Sequence, residues 1–202
     1  MQLIGYMDSP FVRRVAVTAR LLGLPYEHRE LSIFRDFEAF RAINPLVKVP
    51  TLVCDDGQIL VDSTLIIEFL ESLAGKSLMP SSETDRIRAL NIIGTSMVAM
   101  EKVAQLIYET EQRPQDLQHQ PWIDRLEKQL IGALGLMENS VDDSSAWLFG
   151  DDVGQADVTV AIAWRFVQHV VAARIAADDY PGLAAFSARA ESLPQFQACP
   201  LS

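Results

Sequence analysis

Three short segments of this 202-residue chain carry side chains whose types and spacing could do chemistry. In Ser9-Pro10-Phe11, a Ser and a Pro stand at the N-cap and first position of a predicted helix, a pairing that starts helices well. The same end of a helix offers free N–H groups and a positive dipole end to an anion, and a hydroxyl beside it could donate to a thiolate. Lys48-Val49-Pro50 opens a predicted hairpin, where Pro at a strand start costs no ladder bond. A cis Val49–Pro50 bond would instead turn the Val49 main chain outward, to pair with an extended peptide. Asp62-Ser63 precede a helical pattern and read as capping residues. The alternative to that usual role is that they hold a zwitterionic amino acid moiety, with Ser63 and the helix N-terminus on its carboxylate and Asp62 on its ammonium.

Other reactive types offer less. Tyr6 is a hydroxyl that competes with Ser9, and it reads otherwise as an ordinary β-former. Cys54 and Cys199 lie far apart with no CxxC spacing, which suggests neither a disulfide framework nor a thiolate metal site. His28, His119 and His169 are isolated, so no metal ligand set is expected. Where a dithiol redox protein would carry CxxC, this chain has Ser9-Pro10-Phe11-Val12, and dithiol exchange is excluded at that position.

The elements that must position these segments alternate in type up to about residue 80. Gln2–Tyr6 reads as a strand, and Val12, Val15, Ala16, Ala19 and Leu22 follow helical spacing until Gly23 and Pro25. Tyr26–Leu31 reads as a second strand and Phe34–Ile43 as a short helix. Val49–Cys54 and Ile59–Val61 flank the Asp55-Asp56-Gly57 turn as a hairpin, and a helix runs from Asp62-Ser63 to about Leu73. The order βαβαββα makes one layered α/β domain, because two parallel strands need a crossover. Beyond it the pattern is helical at Thr84–Glu111, Trp122–Asn139, Gln155–Arg174 and Leu183–Leu193, with breaks at Arg113-Pro114, Asp142–Ser145 and Asp178–Gly182. The expected domains are 1–77 and an all-helical 84–202, joined by a linker at 78–83, an α+β chain overall.

Composition sets the class. Hydrophobic residues make up 49 % and charged residues 22 %, an ordinary globular balance that excludes disorder and low-complexity polymers. A net charge of −10, most of it beyond residue 80, argues against nucleic acid as a partner. No apolar run is long enough to span a membrane and the N-terminus lacks a signal-peptide pattern, so a cytoplasmic protein with reduced cysteines is expected.

In order and spacing, the three segments resemble those of the glutathione transferase superfamily, and the resemblance runs along essentially the whole chain. Ser9-Pro10-Phe11-Val12-Arg13-Arg14-Val15 looks like the active-site helix start of its serine-type classes, closest to the tau class. Asn44-Pro45-Leu46-Val47-Lys48-Val49-Pro50 looks like its NP-x-x-KVP segment, and Asp62-Ser63-Thr64-Leu65-Ile66-Ile67-Glu68-Phe69-Leu70 like its [ED]-S-x-x-I-x-x-[FY]-L segment. An N-terminal thioredoxin-like domain followed by a helical domain is that family's layout.

The resemblance implies roles. Ser9 would donate to the thiolate of glutathione, the cosubstrate. Val49 would pair main chain to main chain with the cysteinyl residue beside cis-Pro50. Lys48 would lie near the glycyl carboxylate, with Arg35 an additional carboxylate contact and Phe11 part of the glutathione site. Asp62 and Ser63 would hold the γ-glutamyl end. Met7 and Tyr108 would line the pocket for a small hydrophobic electrophile, and the chain would form a homodimer. The expected activity is attack of an activated glutathione thiolate on that electrophile. The alternatives are a non-catalytic protein-interaction module of the same fold and a glutathione-dependent disulfide or peroxide reductase. Three positions depart from the family pattern: Val47 where Gly is frequent, Asp62 where Glu is frequent, and Gly154 in place of a hydroxyl residue before Asp157.

Overall fold

A computed structural model describes residues 1–141 and 146–201, and the chain divides into two compact units, Met1–Leu78 with Ser192–Ser202, and Met79–Glu191. The Asp142–Ser145 break expected from composition lies outside the described residues.

The first unit is built on a four-stranded sheet in the order β2-β1-β3-β4, with β1 (Gln2–Ile4), β2 (Glu27–Arg29), β3 (Thr51–Val53) and β4 (Ile59–Val61). β1 pairs parallel with β2 and antiparallel with β3, so the connection from β1 to β2 is a crossover and carries helix α1 (Pro10–Leu21). Helix α2 (Phe37–Arg41) follows β2, and helix α3 (Ser63–Ala74) follows β4 and packs on α1. This is the expected βαβαββα order. Leu3, Ile4, Val12, Val15, Ala16, Ala19, Phe40, Leu52, Ile66 and Leu70 form its interior.

Two differences in this unit have local causes. Helix α2 starts later than the predicted Phe34, because Asp36 turns the chain back: its Oδ2 accepts from the Ser32 N–H at 2.8 Å while the Ser32 hydroxyl accepts from the N–H of Phe34 and of Arg35. Residues 192–202, placed by sequence with the helical domain, cluster instead with the first unit. Phe196 and Cys199 there are fully buried, and the short helix α8 (Pro194–Gln197) packs on α1.

The second unit holds α4 (Glu83–Ile107), α5 (Gln120–Glu138), α6 (Gln155–Val170) and α7 (Pro181–Glu191), with α4 against α5 and α6, and α6 against α7. The expected continuous helix to Glu111 ends at Ile107 and loosens into a π-helical turn over Tyr108–Gln112. The buried Glu109 carboxylate fixes that turn, bonded to Arg113 Nε at 2.9 Å and to the His119 N–H at 2.8 Å. Gly154 does start α6: Asp157 accepts from the Gly154 N–H and from the Leu148 N–H, each at 2.8 Å, so the helix start survives without the hydroxyl.

Candidate active site

Ser9 sits where β1 hands over to α1. It is half-buried and extended, its N–H donates to the Tyr6 carbonyl at 3.2 Å, and its own carbonyl accepts from the Arg13 N–H at 2.9 Å. The side chain does not cap the helix. Pro10 has no N–H, which leaves those of Phe11 and Val12 ahead of the first turn's bond, at the positive end of the helix dipole. Among the described residues the Ser9 hydroxyl has no hydrogen-bond partner. Capping, the commoner use of a Ser here, is therefore not what this hydroxyl does.

The Val49–Pro50 bond is cis. The ladder between β1 and β3 reaches only to Thr51, leaving the main chain of Val49 outside it. The turn is held from behind by buried Asn44, whose Nδ2 donates to Thr51 Oγ1 at 2.8 Å while that hydroxyl donates to the Lys48 carbonyl at 2.7 Å. Gly5 joins this turn to the Ser9 helix. It has φ +132°, and a Cβ there would stand 2.6 Å from Val12 Cγ2 and 2.9 Å from Val49 Cγ1, so only glycine permits the approach. The imidazole of His28 donates from Nε2 to the Gly5 carbonyl at 2.7 Å.

Asp62 and Ser63 open α3. The exposed Asp62 carboxylate caps the helix through Oδ1, accepting from the N–H of Thr64 at 2.8 Å and of Leu65 at 3.3 Å. Its backbone is at φ +72°, a conformation costly for a non-glycine residue and one that concentrates at functional sites. Ser63 is buried, and its Oγ accepts from the buried guanidinium of Arg14 at 2.9 Å. Burial lowers the Arg14 pKa to about 10 against the upward pull of the Asp62 carboxylate. Asp62 thus keeps the capping role, and Ser63 is oriented by a cation beneath it.

Arg35 stacks its guanidinium 5.3 Å from the centre of the Tyr6 ring, joining the two at the approach to Ser9. Lys48 is exposed beside Val49, Phe11 is half-buried in the first turn of α1, and Met7 is buried. Ser9, Tyr6, Arg35, Val49, Asp62 and Ser63 are all linked by these contacts within the first unit. Tyr108 belongs to the second unit, half exposed at the start of the π-helical turn. Cys54 and Cys199 are free thiols, and no cluster of three metal-ligating side chains occurs among the described residues. Arg14, Asn44 and His28 are the positioning residues that sequence reasoning missed. The Asn44-Pro45 turn was visible in the sequence, whereas Arg14 and His28 carried no signal.

The family described as "Glutathione S-transferase, N-terminal domain" matches residues 3–78, and "Glutathione S-transferase, C-terminal domain" matches residues 120–189, together more than half of the chain. Among curated proteins, the maleylacetoacetate isomerase of Pseudomonas aeruginosa is 29 % identical over 167 residues, covering 78 % of this chain and 77 % of that protein. Glutathione S-transferase U4 of Arabidopsis thaliana is 35 % identical over 92 residues, covering 45 % of this chain and 41 % of that protein. A glutathione transferase family member from Pseudomonas fluorescens Pf-5, solved with bound glutathione, superposes with a TM-score of 0.86 at 25 % identity over 100 % of this chain and 98 % of that one. Relatives from bacteria and plants thus stand side by side, and the tau-like wording of the Ser9 segment does not fix a class. What the spacing of three loop segments implied, the fold and both matched regions now carry: this chain belongs to the glutathione transferase superfamily.

Proposed function

We propose that this chain binds glutathione on its first unit and uses Ser9 to hold the thiol as a thiolate for attack on a small hydrophobic electrophile. The observation that carries this reading is the unspent Ser9 hydroxyl at an open helix N-terminus, on the same turn system as the unpaired Val49 main chain. Glutathione bound in related structures supports it.

The energetics suit the assignment. A thiol of ordinary pKa near 8.5 is mostly protonated at neutral pH, and lowering that value by about two units takes roughly 2.7 kcal/mol of preferential stabilisation of the anion. A charge-assisted hydrogen bond supplies about 1.5–3 kcal/mol and a helix N-terminus about 0.3–1 kcal/mol. Ser9 therefore stabilises charge and takes no proton. The thiol proton leaves to solvent, the sulfur forms its bond to the electrophilic carbon, and the displaced electron pair leaves with a departing group or settles on the activated system.

Around that sulfur, Val49 pairs its main chain with the cysteinyl residue, and Ser63 with the open end of α3 takes the γ-glutamyl carboxylate. The Asp62 oxygen not used in capping takes the γ-glutamyl ammonium. Lys48 and Arg35 attract the glycyl carboxylate, Phe11 completes the glutathione site, and Met7 serves the electrophile. The working form in this reading is a homodimer in a reducing cytoplasm, with two free cysteines and no membrane or nucleic-acid partner. A second reading has one specific support, the similarity to a maleylacetoacetate isomerase over most of both chains. Thiolate addition to a carbon–carbon double bond conjugated to a carbonyl is the same first step, and an isomerase returns the thiolate after bond rotation in place of releasing the conjugate.

Calorimetric titration with glutathione, with thiolate absorbance followed against pH on the same complex, tests the proposal. Saturable binding with a thiol titrating well below its free value is expected. Absence of binding at millimolar glutathione overturns it.

A further inference from the structure

We infer that Arg13 is a positioning residue that ties the segment around Phe196 and Cys199 to the helical turn carrying Ser9, so that the seating of this segment sets how strongly a thiol at Ser9 is acidified. The inference rests on the glutathione reading above for the identity of that thiol, and on geometry for the rest.

Arg13 works at both of its ends. Its main-chain N–H closes the first turn of α1 on the Ser9 carbonyl at 2.9 Å. Its side chain runs the other way, donating from Nε to the Cys199 carbonyl at 2.8 Å and lying 5.8 Å from the centre of the Phe196 ring. Arg13 is 1 % exposed, and Phe196 and Cys199 are each 0 % exposed. A guanidinium so far from water is tolerated only while protein acceptors satisfy it, and the Cys199 carbonyl is one of those acceptors. Seven residues on, on the same side of the helix, Arg20 lies 5.6 Å from the centre of the Tyr26 ring, whose hydroxyl is 3.6 Å from Cys199 Sγ. The tail is thus fastened along two turns of α1.

The coupling to Ser9 is directional. A charge-assisted hydrogen bond weakens steeply once the donor is misaimed, and the first turn of a helix frays readily unless something holds it. On one side of this turn Gly5 meets Val12. The tail, through Arg13, holds it on another. Loosening that contact lets the Ser9 turn fray and degrades the aim of both the hydroxyl and the helix N–H groups, while Val49, Asp62 and Ser63 go on binding the rest of glutathione.

The Arg13→Met variant of this 202-residue chain tests this, because it keeps the bulk of the side chain and removes the donor and the charge. Amide hydrogen exchange at Arg13 reads the turn without any ligand, and calorimetry with thiolate absorbance reads glutathione. Expected are exchange about tenfold faster at the position-13 amide than in wild type, a thiolate midpoint raised by about half a pH unit, and glutathione affinity within about threefold of wild type. Should Arg13→Met not fold, Phe196→Leu, which keeps an apolar plug but loses the aromatic face, is read in the same way with the same signs. Unchanged exchange overturns the inference. So does faster exchange with an unmoved midpoint, and so does a lowered melting temperature as the sole change. If wild type binds no glutathione, the transferase reading falls by itself, and a wild-type exchange rate at the position-13 amide of the variant then overturns the hold of the tail on the Ser9 turn.

Discussion

The guanidinium of Arg14 reaches from the middle of α1 to the first residue of α3, donating to Ser63 Oγ at 2.9 Å and to Thr64 Oγ1 at 3.1 Å. Two helix starts, which in the proposed function face one tripeptide, are thereby fixed to each other by a buried cation. Arg14→Met leaves the buried Ser63 hydroxyl without its donor, which costs about 1–3 kcal/mol of stability. It also frees that hydroxyl to rotate. Glutathione affinity falls about tenfold in the same variant, the equivalent of one misplaced hydrogen bond. Denaturant unfolding and calorimetry on one preparation check both, and unaltered affinity removes Ser63 from the γ-glutamyl site.

Ser9→Ala deletes the one hydroxyl at the α1 start that the fold itself does not use. Loss of a charge-assisted bond of about 1.5–3 kcal/mol lowers turnover by about 10- to 150-fold. Stability changes little, since the hydroxyl does not cap the helix, and glutathione affinity changes little, since in the proposed site Val49, Asp62 and Ser63 hold the rest of the tripeptide. Steady-state kinetics with a chromogenic electrophile read the effect. Unchanged turnover would transfer the role to Tyr6 or to the helix N–H groups.

How these residues relate to the sequence depends on how far away their partners lie. The Ser9 turn, the hairpin around Gly57 and the Asp62 cap were legible because each is a local signal, read from neighbours within a few positions. Arg13 and Arg14 were not legible. Nothing in the local spacing of two adjacent basic residues says that they are buried, yet both are, by partners 186 and 49 residues away in sequence. The place of residues 192–202 was lost for the same reason, since helical periodicity says that a segment has an apolar face and not which unit covers it. The π-helical turn after Ile107 was hidden because its cause, the Glu109 carboxylate bonded across to the His119 N–H, leaves no periodic trace.

Asp62 carries two duties that one pair of substitutions separates. Asp62→Asn keeps an oxygen for the Thr64 and Leu65 N–H groups and tolerates the positive φ, so stability stays within about 0.5 kcal/mol of wild type. It removes the charge that faces an ammonium, and glutathione affinity falls about tenfold. Asp62→Ala loses the cap as well, costing a further 1 kcal/mol or about that. If Asn and wild type bind glutathione equally, Asp62 is a cap alone.

Val47 sits at φ +46°, where a β-branched side chain is strained by about 1–2 kcal/mol. Glycine adopts this conformation freely and gives back part of the gain through a more flexible unfolded chain. Val47→Gly therefore stabilises the protein by about 0.5–1 kcal/mol, measured as a higher denaturant midpoint. A lower midpoint would mean that packing of the half-buried Val47 side chain outweighs its backbone strain.

Asp157 gives a pH dependence whose sign can be worked out. It is 0 % exposed, and burial pushes its carboxyl pKa up, against the opposing effects of the Leu148 and Gly154 N–H groups and of Arg189. A carboxyl raised in the folded state binds its proton more tightly there than in the unfolded chain. Its contribution to stability is then fully present below the unfolded carboxylate value and is lost as pH rises through the folded one. Asp157→Asn abolishes the titration and leaves one of the two N–H groups without an acceptor, a cost of about 1–3 kcal/mol. The stability gap between wild type and Asp157→Asn is accordingly widest below the unfolded carboxylate value of about 4 and narrows as pH rises through the raised folded one. Denaturant unfolding followed by the fluorescence of Trp147 and Trp164, both buried in the second unit, measures it at each pH. A gap that widens instead means that the two N–H bonds outweigh burial, and that the start of α6 is held by a carboxylate stabilised in its charged form.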